Sequence, residues 1–124
     1  MKLKCIASLF LITIALASCA QQSNKENEEN QVASAELTVD AAKFSKFIAA
    51  PGAQILDVRT AGEFQSGHIA NALQANWLDE EEFKKRTQHL DKSKTIYIYC
   101  QSGGRSASAQ EVLMQAGYQV VNLE

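Results

Sequence analysis

The chain has 124 residues, 46% of them apolar and 21% charged, enough for one domain with a modest core. Twelve basic and fourteen acidic residues give a net charge of −2, and no basic patch stands out, which argues against a nucleic-acid partner. The three cysteines and two histidines have no metal-ligand spacing, so neither a metal site nor another cofactor is expected.

Lys2 and Lys4 precede an apolar stretch over residues 6–17, broken only by Ser8 and Thr13. A membrane-spanning helix needs about 20 residues, so residues 1–18 are expected to be a signal peptide. Leu16-Ala17-Ser18-Cys19 resembles a bacterial lipobox, a small-residue cleavage site ending in the cysteine that takes lipid. The resemblance implies a lipid anchor at Cys19, holding the chain to a membrane of the bacterial cell envelope, on the periplasmic or outer-membrane face. Ordinary secretory cleavage with Cys19 incidental is the other reading. Several acyl chains, at about 0.8 kcal/mol per buried CH₂, would hold firmly where one is marginal.

Residues 19–35 are polar and acidic with almost nothing to bury, and are expected to be a disordered tether. The acidic cluster just past Cys19 also resembles the surface-export tags of some bacterial lipoproteins. With Cys5 removed and Cys19 blocked, Cys100 would be the one thiol of the mature chain, which leaves neither a disulfide framework nor a CxxC redox pair. An unpaired thiol outside the cytoplasm is a liability unless its chemistry is wanted.

From residue 36 onward the pattern alternates between strand and helix. Thr38 or Asp40 can cap a helix running to Ala49, with Val39, Phe44, Phe47 and Ile48 apolar and Ala50-Pro51-Gly52 ending it. Residues 55–58 read as a buried strand, 60–65 as one or two helical turns, Ser66-Gly67 as a break and 73–75 as a brief strand. Asp79 caps a helix over residues 80–89, whose acidic first turn and basic later residues suit the helix dipole. That charge run is a solvated face with i,i+4 pairing. Residues 95–99, β-branched and aromatic, form a buried strand. Ala109, Val112, Leu113 and Ala116 then recur at helical spacing up to Gly117, and a last strand lies near residues 120–123. Strands separated by helices imply an α/β fold: a mainly parallel central sheet with helices on both faces.

The chemistry concentrates at Cys100-Gln101-Ser102-Gly103-Gly104-Arg105. A thiol at the carboxyl end of a strand faces a glycine-containing loop that opens a helix, where open α/β sheets place their ligands. The backbone N–H groups of Gln101 through Arg105 are expected to converge on the sulfur, with the positive helix end and Arg105 adding charge. Such surroundings lower a thiol from about 8.5 to roughly 3.5–7.5, so that the thiolate dominates at neutral pH. Gly103 and Gly104 supply the tight curvature, including positive φ. Arg105 either reaches an anionic substrate or braces the loop through a carboxylate.

Cys-x-x-Gly-x-Arg after a strand, with Asp57-Val58-Arg59, Glu63-Phe64 and Gly67-His68-Ile69 upstream, resembles a rhodanese-homology domain over residues 37–124. The resemblance implies a single-domain sulfurtransferase. It further implies Cys100 as the nucleophile, with Gln101, Ser102, Gly103, Gly104, Arg105 and Arg59 expected around the substrate. The partners it implies are a small sulfane-sulfur donor such as thiosulfate and a thiol or cyanide acceptor. Four residues separate Cys100 from Arg105; relatives acting on phosphate or arsenate have five, so the loop size favours sulfur.

Asp57 is expected to anchor a neighbouring loop, with Arg59 at the substrate rim, while Glu63 and His68 hold the connecting loop. Thiolate attack on sulfur needs no general base, so none is assigned to His68. Asn71 stands where the family has a second glycine after Gly-His-Ile, and asparagine tolerates the left-handed backbone such a turn needs. The family continues past the last strand into Gly-Gly and a short tryptophan-bearing helix. This sequence stops at Glu124, so either it is truncated or the domain lacks one cover on its core. Two other functions fit the same residues: a tethered protein-docking module, and a redox sensor in which Cys100 is oxidised.

Overall fold

Short apolar runs bounded by turn residues build the sheet. The computed structural model describes residues 37–124, so the expected signal peptide, Cys19 and the tether lie outside the described residues. In chain order the elements are β1 (Thr38–Val39), α1 (Ala41–Ile48), β2 (Gln54–Asp57), α2 (Ala61–Gln65), β3 (Leu73–Gln74), α3 (Glu80–Thr87), β4 (Ile96–Tyr99), α4 (Gly104–Gln115) and β5 (Val120–Leu123). The strands form one sheet in the order β1-β5-β4-β2-β3, every pair parallel. Both edge strands are two residues long, which leaves little unpaired backbone for aggregation.

The side-chain period of two sorts the strands between two cores. Leu56, Val58, Ile96, Ile98 and Val120 face Phe83 of α3 and Ala109 and Leu113 of α4. Ile55, Tyr99 and Val121 face the opposite way, onto Phe44 of α1 and Val39. Helices thus cover both faces, as the sequence predicts.

Local signals fix the helix ends. Asp40 caps α1 by accepting from the Lys43 amide at 2.8 Å. Thr38 and Val39 are strand rather than helix; they pair with Asn122 and Leu123 at the sheet edge. Helix α3 stops at Thr87, whose hydroxyl donates back to the Phe83 carbonyl at 2.8 Å, and the chain then turns to bury Leu90. Its charges pair as Glu80–Lys84 and Glu82–Arg86.

A Schellman motif closes α4. Tyr118 N–H reaches the Leu113 carbonyl and Gly117 N–H the Met114 carbonyl, with Gly117 at φ 89° and Tyr118 and Leu113 in one core. The buried face of α4 is Ser106, Ala109, Gln110 and Leu113, whereas Val112 points outward at 43% exposure. Asn71, at φ 65°, sits third in the turn closed by Ala72 N–H to the Ile69 carbonyl, the position where a left-handed residue is needed.

Candidate active site

The strand order creates the site. From β2 the chain leads outward to β3, and from β4 it leads to β5 on the other side, so the carboxyl ends of β2 and β4 flank a topological switch point. Asp57 and Tyr99 are register partners there, and Val58 N–H extends the ladder to the Tyr99 carbonyl at 3.1 Å. Cys100 follows directly, half-buried, and is the free cysteine among the described residues.

The sulfur lies at the amino end of α4. Gly103 is the N-cap residue with φ 83°, and the first intrahelical bond runs from Ala107 N–H to its carbonyl. The amides ahead of Ala107 therefore lack helical partners. Those of Ser102, Gly103 and Ser106 hydrogen-bond the Cys100 sulfur, and the Ser106 hydroxyl lies 3.4 Å from Sγ. Burial alone pushes the thiol up; the hydrogen bonds from Ser106, Ser102 and Gly103 outweigh it and bring Cys100 below its ordinary value. The shift makes the anionic, nucleophilic sulfur more accessible than in a free thiol.

Two carboxylates hold the arginines. Thr60 and Glu63 form a capping box at the start of α2, and Glu63 also takes both terminal nitrogens of Arg105, at 2.7 and 2.9 Å. Arg105 is thus a brace joining α2 to the cysteine loop, and its charge attracts the Cys100 thiolate. The Arg105 and Thr60 bonds hold the Glu63 carboxyl well below the usual carboxylate range.

Asp57, fully buried, accepts from the Arg59 backbone N–H, Nε and Nη2, the last at 2.6 Å. Arg59 Nη2 also donates to the Gly67 carbonyl at 2.7 Å, and the guanidinium lies 5.5 Å from the centre of the Tyr99 ring. Asp57 raises the Arg59 pKa by hydrogen bonding. The Tyr99 hydroxyl accepts from Ile69 N–H at 3.0 Å, and burial, aided by Asp57, pushes its pKa up to about 12. Asp57 therefore anchors the loop after α2 through Arg59. His68 stacks on Phe64 at 3.6 Å and bonds the Phe64 carbonyl through Nδ1, a loop-holding position.

A model of the rhodanese-like domain matches residues 40–124. The chain belongs to that family. A sulfurtransferase from Allochromatium vinosum is 40% identical over 70 residues, covering 56% of this chain and 63% of the relative. Thiosulfate sulfurtransferase 16 of Arabidopsis thaliana is 33% identical over 76 residues, 54% of this chain and 63% of the relative. The chain spans about half to two thirds of the length of the curated relatives it matches. A crystal structure of a rhodanese-related protein from Thermoplasma volcanium superposes with a TM-score of 0.62 at 32% identity, covering 70% of this chain and 82% of that one.

Against this rhodanese-like frame, the expected site residues divide. Cys100, Gly103 and Arg105 converge, while the Gln101 and Ser102 side chains stand exposed at the loop entrance. Arg59 lies near enough to Arg105 for the two charges to oppose each other. Gly104 departs from expectation: it is the first residue of α4 and lacks positive φ, and a Cβ placed there meets nothing within 4 Å. Of the amides expected from Gln101 through Arg105, those of Ser102 and Gly103 bond the sulfur, and they are joined by Ser106, which lies beyond that span. Stepping back by seven and three from the buried Leu113 and Ala109 lands on residue 106, so the helical period carried the signal.

Proposed function

We propose that this chain is a sulfurtransferase that carries sulfane sulfur as a persulfide on Cys100. The observation that supports it is the thiol held among the Ser102, Gly103 and Ser106 amides at a helix amino end, where a thiolate is favoured. In the loading half, Cys100 thiolate attacks the outer sulfur of thiosulfate. An Sγ–S bond forms, the donor's S–S bond breaks, and sulfite leaves with the electron pair. In the unloading half, a thiolate or cyanide attacks the outer sulfur, and Cys100 leaves as thiolate. The amides stabilise negative charge in both halves. The names of the relatives, thiosulfate sulfurtransferase among them, support the same donor. Around the entrance, Gln101, Ser102 and Gly104 meet the donor, and the braced Arg59 and Arg105 keep positive charge at its rim.

Intact mass after incubation with thiosulfate tests this reading. One added sulfur atom, absent in Cys100→Ser and removed by cyanide, is expected. A folded protein that gains no sulfur from thiosulfate or from an organic persulfide would overturn it.

The sequence of residues 1–19 also supports a cell-envelope location with a lipid at Cys19. Cys19→Ala is expected to move the protein from the membrane to the soluble fraction; unchanged partitioning would overturn the anchor.

A further inference from the structure

Ser106 is fully buried on the third position of α4, and its hydroxyl has two acceptors within reach: the Gly103 carbonyl at 3.0 Å and Cys100 Sγ at 3.4 Å. One hydroxyl carries one proton, so it serves one of them at a time. A neutral sulfur is a weak acceptor and leaves the proton with the carbonyl. An anionic sulfur makes a charge-assisted bond about twice as strong and draws the proton to itself. Burial keeps water from substituting for the hydroxyl at this spot.

The charge on Cys100 changes through the proposed cycle. In the persulfide, the negative charge sits on the outer sulfur and Sγ is neutral. During unloading, the Sγ–S bond breaks and its electron pair goes to Sγ, so charge builds at the atom facing Ser106. During loading, charge leaves Sγ. A donor aimed at Sγ is therefore worth more in the unloading transition state than in its ground state, and less in the loading one. We propose that Ser106 is a catalytic residue for sulfur release, its hydroxyl proton turning from the Gly103 carbonyl to Cys100 Sγ as that sulfur becomes the leaving thiolate. This rests on the sulfurtransferase reading above.

The charged and titratable groups around the loop are Arg105 with Glu63 from α2, Arg59 with Asp57 beyond β2, and Tyr99 of β4. None is altered by substitutions at Ser106, so both ion pairs are expected to persist.

The test separates the two half-reactions in single turnovers of the full chain. Protein loaded with thiosulfate and freed of excess donor is mixed with cyanide, and persulfide loss is followed by rapid-quench intact mass between about pH 6 and 9. In Ser106→Ala, unloading is expected to slow about tenfold at every pH, the loss of one hydrogen bond to a charged group. Loading, measured where the thiol is fully ionised, is expected to stay within about twofold of wild type. Ser106→Thr restores the hydroxyl and recovers unloading relative to Ser106→Val, which matches its shape without the proton donor. That pair decides the matter if Ser106→Ala fails to fold. Equal slowing of both halves, unchanged unloading in Ser106→Ala, or Thr and Val variants unloading alike would overturn the role. Wild-type protein that acquires no sulfur overturns the underlying reading instead, a result seen before any variant is compared.

Discussion

Glu63 and Arg105, 42 residues apart in sequence, meet through two hydrogen bonds of 2.7 and 2.9 Å. The pair ties the first turn of α2 to the first turn of α4, so one carboxylate caps one helix and steadies the nucleophile loop at the start of the other. A fork-shaped guanidinium suits this task because both nitrogens are fixed together.

The pair makes acid stability depend on Glu63. Its folded pKa is depressed, so the unfolded chain binds the proton more readily, and the stabilisation is complete above the ordinary value near 4.5. It is lost as pH falls below that value toward the folded one. Thermal melts of wild type are expected to decline across that acid window, and Glu63→Gln to show a lower melting temperature at neutral pH with a shallower decline. A variant with the same acid slope as wild type would contradict the assignment.

Asp57 and Arg59 form the buried counterpart. Asp57 has no solvent exposure and accepts from Arg59 through backbone and side chain. Asp57→Ala leaves a guanidinium without its partner, and removing one member of such a pair costs about 3–5 kcal/mol. Arg59→Lys loses the fork and the Gly67 contact together, and is expected to destabilise rather than substitute. Urea denaturation of the two variants checks both.

Gly103 and Gly104 separate conformational need from space. Gly103→Ala is expected to cost about 1–2 kcal/mol from its left-handed backbone alone, since an added Cβ would find its nearest neighbour 3.9 Å away. Gly104→Ala meets nothing and sits at a helical position, so its stability should equal or slightly exceed wild type. Equal losses in the two variants would argue against this placement of the turn.

The fold's periodic elements were legible because burial enforces their patterns. Residues 95–99 could be read as strand since Ile96 and Ile98 fill one core while Tyr97 and Tyr99 meet the other. Val39 misled because it stands just before the α1 cap and shares a core with Phe44 four positions into the helix, a staple that mimics helical periodicity. Val112 carries a hydrophobic side chain that the sheet leaves outside, and composition alone cannot reveal that.

At the site, Cys100 and its loop were legible from residue types and order. The partner of Arg105 was not, because Glu63 lies 42 residues away and only the tertiary fold brings it there, whereas Asp57 stands two residues from Arg59. Ser106 was hidden by its chemistry: a serine in a helix ordinarily faces water, and here it is sealed against the sulfur.

Sulfur transfer through Cys100 requires its surroundings to favour the thiolate, which an ultraviolet thiolate titration reads directly. The expected midpoint lies clearly below the free-thiol value of about 8.5, with the absorbance change absent in Cys100→Ser. A midpoint at or above that value would mean the amides and the Ser106 hydroxyl do not hold the anion, and the sulfur-carrier reading would fall.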